Sequence, residues 1–320
     1  MKVSIVIPCK SIDSYVMECI NRCLEIDYSD YEILVLPDSY NGKNIFSRNV
    51  YVMPTGCITP LRKRFIAASQ STGEVLAFID SDAYPTKSWL KNALRHFNDS
   101  NTVAVVGPSL TPINDDIMSK ASGLILSSPF GGGSESIRYT QSHSIRYVNE
   151  APTCNMIIKK SVLNAIKDLL PDVWPGEEIV LCGTITKDLK KKIVYDPEVI
   201  VYHHRRRLFS PHLRQIWNYG KVKGSLLKKY RRYVRPVFYL PTLLVLGIIM
   251  GIPLAMLNPV ARYIYGFSLL AYTSLSAANA ILVWLKERSS KLAILVFIGT
   301  IITHICYGIA FLKGMLSGKI

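Results

Sequence analysis

The chain has 320 residues, with 38 Lys and Arg against 23 Asp and Glu, for a net charge of +15; this length allows about two domains. The charge alone would suit a nucleic-acid binder, but its placement argues against one. Residues 1–202 are close to neutral, the run from His203 to Arg235 is strongly basic and holds no acid, and no aromatic–basic readout motif is present. Read in order, "MKVSIVIPCK" carries an apolar run too short for a signal peptide and predicts a strand ended by Pro8. Helical spacing follows over 13–26, then a strand "YEILVL" closed by the turn formers "PDSYNG", and a third strand within "RNVYVM". Residues 60–71 predict a helix, "EVLAFI" a strand, "KSWLKNALRHF" an amphipathic helix and "TVAVVG" a strand. Nearly continuous apolar strands alternating with helices predict an α/β domain, with a mostly parallel sheet covered on both faces. Ligands of such sheets bind at the carboxyl ends of strands, where Pro8, Asp38, Asp80 and Asp82 fall.

From 109 to 150 the pattern weakens, and "SSPFGGGSES" reads as a mobile loop. "APTCNMIIKK" predicts a turn into a strand, followed by a helix over 161–169 and another from about Glu177. "KIVYDPEVIVYHH" gives two short strands around Asp196-Pro197. Residues 209–235 place apolar groups near helical spacing among basic ones, as in a helix lying in a lipid headgroup layer. Three apolar stretches without charge follow, at about 237–257, 263–285 and 292–312, and the last carries only His304. Each is long enough to cross about 30 Å of hydrocarbon as a helix. The basic block before the first stretch and the loop "KERSSK" between the second and third predict a cytoplasmic face for both. The front domain is then cytoplasmic, the protein a multi-pass protein of the cell membrane, and the C-terminus outside. The expected division is a domain over 1–207, a basic interfacial segment over 208–235 and an all-α transmembrane domain over 236–320. The seven cysteines form no CxxC and no convincing zinc pattern, so buried free thiols are expected.

Chemistry concentrates in "AFIDSDAYP", where Asp80 and Asp82 follow a buried strand. Two ionised carboxylates so close suit a hard divalent cation, Mg2+ or Mn2+, which offsets their repulsion. The competing reading is that Asp82 caps the next helix. Glu177 and Glu178 in "PGEEIV" suit a proton-accepting role, and equally the first turn of a helix, where the dipole favours acids. His203 in "YHH" is either a third metal ligand or a structural strand-end histidine. Arg205, Arg206 and Arg207 suit a diphosphate clamp, a lipid headgroup patch, or both.

"VSIVIP", "GEVLAFIDSDAYP", "GEE" and "KIVYDPEVIVYHH", in that order, resemble the family 2 glycosyltransferases of the GT-A fold, which have a Rossmann-like mixed, mostly parallel sheet. The resemblance spans about residues 2–224. The C-terminal helices are similar to those of membrane members in a minimal cellulose-synthase-like arrangement, including archaeal mannosyltransferases of N-glycan assembly. The resemblance implies inverting transfer of a sugar from a nucleotide-diphosphate donor. It implies that Pro8 and Cys9 line the nucleotide pocket and that Asp38, the second acid of a "DD" turn whose first position here is Pro37, recognises the base. Arg64 matches the arginine of an "ARN" segment, with Phe65 replacing the Asn, and holds Asp80 or the diphosphate. Asp80 contacts ribose or metal, Asp82 binds metal, and Asn155 in "PTCNM" contacts sugar. Glu178 is the expected base and Glu177 the alternate, in place of the family's "GED". "RQIWNYG" does not match the QxxRW motif of processive members, which speaks against a long polymer. The expected reaction moves a hexose, mannose from GDP-mannose first, to a polyisoprenyl diphosphate oligosaccharide. The alternatives are a polyisoprenyl-phosphate sugar synthase and a non-catalytic membrane scaffold of the same fold.

Overall fold

In the computed structural model, which describes residues 1–42, 49–142 and 144–317, every residue of β1 (Val3–Pro8) is buried, as a strand covered on both faces requires. α1 (Ser14–Leu24) starts at Asp13, whose side chain accepts from the Val16 N–H, and it turns Val16, Cys19, Ile20 and Cys23 inward. β2 (Tyr31–Leu36) and β3 (Val50–Val52) follow. The strand expected within "RNVYVM" therefore begins at Val50, and Arg48 lies outside the described residues. α2 (Pro60–Gln70) is capped by Thr59, with Pro60 in its first turn, where its missing N–H costs nothing. β4 (Val75–Ile79), β5 (Ala83–Pro85), α3 (Trp89–Leu94), β6 (Thr102–Val106) and β7 (Ser109–Leu110) come next. Beyond α4 (Ile117–Ser127) and α5 (Pro129–Gly132), the chain forms β8 (Arg146–Tyr147), β9 (Asn155–Lys159), α6 (Lys160–Ile166) and α7 (Glu177–Gly183). β10 (Lys192–Tyr195) and β11 (Val201–His203) are the two strands expected around Asp196-Pro197.

The main sheet runs β3-β2-β1-β4-β9-β6-β10-β8. β1, β2, β3 and β4 pair in parallel, as do β6 and β10, whereas β9 and β8 run antiparallel to their neighbours. A second sheet, β5-β11-β7, sets β11 antiparallel to β5 and opposes His203 to Ala83. The register also opposes Asn155 to Ile79. The turn after β4, the start of β9 and the end of β11 thus converge. These strands belong to one compact unit, Met1–Leu110 with Thr140–His204. Its core packs Ile5, Ile33, Ala77 and Ile157 of the sheet with Ile20 of α1 and Trp89 of α3.

The second unit joins Thr111–Tyr139 to Arg205–Ile320. This differs from the expected boundary at 207, because residues 111–139 pack with the C-terminal helices. α4 begins where the Asp116 carboxylate accepts from the Met118 and Ser119 N–H groups. Its Ala121 and Ile125 pack with Leu208, Val283, Leu292 and Val296. "FGGGSES" is a short helix and a 3-10 turn, not an extended loop. Glu135 anchors it: Arg138 lies at 2.5 Å, Arg235 at 3.3 Å and Lys223 at 3.6 Å. Burial alone would raise the Glu135 pKa, but these three cations hold it below the usual carboxylate range.

α8 (Ser210–Tyr230) fits the amphipathic helix expected over 209–235, and it buries Ile216, Gly220, Gly224 and Leu226. A Cβ at Gly224 would meet the Phe311 carbonyl oxygen at 2.2 Å, so only glycine permits this approach. His212 is fully buried, with Nδ1 2.7 Å from Ser122 Oγ and Nε2 2.9 Å from Thr303 Oγ1. α9 (Leu240–Leu257), α10 (Pro259–Glu287) and α11 (Ser290–Ser317) complete the unit. All three, α9 counted from Pro236, are long and apolar enough to cross a membrane, with mean hydropathy 2.3, 1.4 and 2.2 in turn.

Candidate active site

The turn after β4 places Asp80 and Asp82 at the carboxyl edge of the sheet. Asp82 does not cap a helix: β5 follows it, and α3 begins only at Trp89 after Ser88. Its Oδ1 lies 3.1 Å from His203 Nε2. The coordinating atoms of Asp80, His203 and Cys154 all lie within 4.8 Å of one another. One carboxylate, an imidazole and a thiol thus form a group that fits a divalent cation, with the Asp82 carboxylate beside the imidazole. His204 turns elsewhere: its Nε2 meets Glu18 Oε2 at 3.0 Å and its ring packs near Tyr15.

Cys154, which the sequence reading did not single out, joins this group, and its neighbour Asn155 does not. Asn155 is fully buried, and its amide is committed to structure. Oδ1 accepts from Trp89 Nε1 at 2.8 Å, and Nδ2 donates to the Pro108 and Val199 carbonyls at 3.0 and 2.8 Å. Both amide N–H groups are thereby used, and the buried side chain cross-links β9 to the loops around it.

α2 supplies three consecutive basic residues to three places. Arg62 pairs with Asp172 in the loop before α7. Lys63, 3% exposed, donates to the Cys9 carbonyl at 2.6 Å, the Leu36 carbonyl at 3.1 Å and Asp38 Oδ1 at 2.5 Å. Arg64 reaches Asp80 at 3.3 Å and Glu177 at 2.9 Å. Sequence reading singled out Arg64 alone. Pro8 and Cys9 lie at the end of β1, next to Lys63, and burial pushes the Cys9 thiol up to about 12, against the pull of Lys63. That group is a neutral thiol.

The two glutamates open α7 behind Gly176, whose φ of 113° is open to glycine and strained for other residues. Glu178 Oε2 accepts from the Gly176 N–H at 3.1 Å. Glu177 is 2% exposed. Burial first and the charge of Glu178 second push its pKa up to about 7, while Arg64 pulls it down. Glu177 Oε2 and Arg64 Nε are buried without a hydrogen-bond partner among the described residues. Arg205, Arg206 and Arg207 belong to the second unit. There Arg205 stacks over Tyr139 at 4.7 Å, and Arg207 lies 3.4 Å from Asp116.

The acid pair and the buried Arg64–Glu177 bridge lie at the carboxyl edge of the mixed sheet, His203 ends β11 of the second sheet, and the domain is GT-A-like in fold. Residues 4–166, about half of the chain, match the sequence profile of Glycosyl transferase family 2, and the chain belongs to that family. The Pre-mycofactocin glycosyltransferase of Mycobacterium tuberculosis is 23% identical over 193 residues, 60% of this chain and 40% of that protein. The chain thus spans well under two thirds of that relative. A Methanococcus voltae protein, Dolichyl N-acetyl-alpha-D-glucosaminyl phosphate 3-beta-D-2,3-diacetamido-2,3-dideoxy-beta-D-glucuronosyltransferase, is 21% identical over 252 residues, 71% of this chain and 74% of that one. Among solved structures, the mannosyltransferase PcManGT from Pyrobaculum calidifontis, in complex with GDP-Man and Mn2+, is similar with a TM-score of 0.56 and 14% identity. That likeness covers 99% of this chain and 88% of the other, and it is a likeness of fold.

Proposed function

We propose that this protein is a metal-dependent, inverting glycosyltransferase that moves a hexose from a nucleotide-diphosphate sugar to a lipid-linked acceptor. The observation that carries the reading is the meeting of unlike groups at one sheet edge. Ligand atoms of Asp80, Cys154 and His203 lie within 4.8 Å of one another, Asp82 pairs with His203, Arg64 bridges Asp80 to Glu177, and Glu178 sits in the first turn of α7. Asp80, Asp82 and His203 would hold Mn2+ or Mg2+, with the Cys154 thiol beside them. When bound, the cation supplies positive charge to the leaving diphosphate. Asp38 accepts a hydrogen bond from the base. Glu178 takes the acceptor hydroxyl proton as that oxygen bonds to the anomeric carbon and the bond from that carbon to the diphosphate oxygen breaks. Attack opposite the leaving oxygen inverts the configuration. Glu177, held by Arg64, keeps the first turn of α7 in register with Asp80.

The three apolar helices and the basic run from Arg205 to Arg235 support an acceptor carried in a membrane. The dolichyl phosphate substrate in the name of the Methanococcus voltae relative supports a polyisoprenyl carrier, and we take a polyisoprenyl diphosphate oligosaccharide of N-glycan assembly as the first candidate. The GDP-Man in the PcManGT complex supports GDP-mannose as the first donor to test. The catalytic domain and basic run face the cytoplasm in this reading, and the C-terminus lies outside. The test is transfer in detergent or liposomes from a panel of GDP- and UDP-sugars to polyisoprenyl acceptors, with and without EDTA. Transfer that EDTA abolishes and Mn2+ restores is expected. A wild-type protein that neither transfers nor binds any nucleotide would refute the reading.

A further inference from the structure

Lys63 is a buried ammonium whose position in the site has a use beyond packing. We propose that Lys63 is a specificity-determining positioning residue of the donor pocket, fixing Asp38 so that one carboxylate oxygen meets an N–H on the edge of the donor's base. The inference rests on the glycosyltransferase reading above.

An ammonium has three N–H donors and no acceptor. All three are matched, by the Cys9 carbonyl, the Leu36 carbonyl and Asp38 Oδ1. No donor remains for a ligand, so Lys63 acts through Asp38. The two carbonyls lie at the ends of β1 and β2, the strand ends that would carry a nucleotide. Asp38 is held by its backbone as well: its N–H donates to the Lys10 carbonyl at 2.9 Å, and its carbonyl accepts from the Gly56 N–H at 3.0 Å. Its side chain is still 25% exposed. A ligand therefore meets an Asp38 with one oxygen bound, the main chain fixed and, among the described residues, no hydrogen bond to the other oxygen. An ionised carboxylate only accepts. It selects a base with an N–H at that place, as uracil and guanine have on their ring, and disfavours one with a ring acceptor there, as in cytosine or adenine. Without the ammonium, the carboxylate is free to rotate and loses its aim.

A merely structural tether predicts a different outcome, so the test compares ligands. Binding of GDP, UDP, CDP, ADP and pyrophosphate, each with Mn2+, is measured by calorimetry on the full-length protein in detergent. The proteins are wild type, Lys63→Met, Lys63→Gln, Asp38→Ala and the Lys63→Gln/Asp38→Ala double variant, each with its melting curve. Lys63→Gln keeps N–H donors for the two carbonyls and so keeps the fold if Lys63→Met does not. Wild type is expected to bind GDP or UDP at least about tenfold tighter than CDP and ADP, the scale of one hydrogen bond to a charged group. The Lys63 variants are expected to lose most of that preference while keeping wild-type affinity for pyrophosphate, and Asp38→Ala is expected to add nothing to a Lys63 variant. A folded Lys63 variant that keeps the base preference overturns this inference alone, as does an equal loss for all five ligands. A wild type that binds no nucleoside diphosphate overturns the glycosyltransferase reading with it.

Discussion

The buried ionisation of Glu177 should be visible as a pH dependence of stability that Glu177→Gln removes. The folded pKa is pushed up to about 7 from an ordinary value of 4.5. Between those values the folded protein binds more protons than the unfolded chain. Stability from this group is therefore full below 4.5 and is lost as pH rises through 7. The gap is worth about 3 kcal/mol. In a domain of 150–250 residues that corresponds to roughly 6–12 °C in Tm. Arg64 opposes the effect, because its guanidinium lies 2.9 Å from Glu177. In Arg64→Met the Glu177 pKa rises further and the loss continues above pH 7. Leaving the buried carboxylate unpaired then costs roughly 3–5 kcal/mol at alkaline pH, and far less near pH 5, where Glu177 is neutral. The assay is thermal unfolding in detergent from pH 5 to 8.5 for wild type, Glu177→Gln and Arg64→Met. The slope is the readout, because Gln is a weaker partner for Arg64 at every pH. A Glu177→Gln protein with the wild-type slope would refute the reasoning.

Glu178→Gln should lower kcat by roughly 10²–10⁴-fold with donor affinity unchanged; full activity would remove the base assignment. Asp82→Asn and His203→Ala should each weaken Mn2+ binding by at least about tenfold, since even outer partners of a metal cost that much. Free Mn2+ measured by electron paramagnetic resonance checks this without activity, and unchanged affinity would remove the metal role. His212 is held neutral, with burial lowering its pKa to about 4 from 6.5. Its contribution is full above 6.5 and is lost as pH falls toward 4, by about 3 kcal/mol. His212→Gln should flatten the acid limb of the Tm profile, and an unchanged limb would contradict the buried, neutral assignment.

The strands that build the site were legible because a strand buried on both faces must be apolar along its length, as β1 and β4 are. α4 was not. Its buried face includes Ser119, Ala121, Ser122 and Gly123 as well as Ile125, so small residues dilute the period that marks a helix. The one local signal was Asp116, a capping residue directly before the run. "FGGGSES" reads as flexible from composition, yet Glu135 is held by Lys223 and Arg235, far along the chain. No window of sequence contains that contact. The different placements of Asn155 and Cys154 are hidden from the sequence for a similar reason. In a strand, adjacent side chains point to opposite faces, and only the partners of Asn155 reveal which of the two is occupied by structure.

The run "LRKRF" carries the same lesson into the site itself. Three adjacent basic residues usually mean a solvated face, yet here two of them are buried. A helix turns by about 100° per residue, so adjacent side chains must leave in different directions. That geometry lets α2 hold Asp172 with Arg62, Asp38 with Lys63, and Asp80 with Glu177 through Arg64. The loop before α7, the turn after β2 and the turn after β4 are thereby referred to one rigid element. A shift of α2 would move all three together, whereas losing one cation would release one of them. Substitutions at Arg62, Lys63 and Arg64 should therefore separate into effects on the α7 loop, on the nucleotide and on the acid pair.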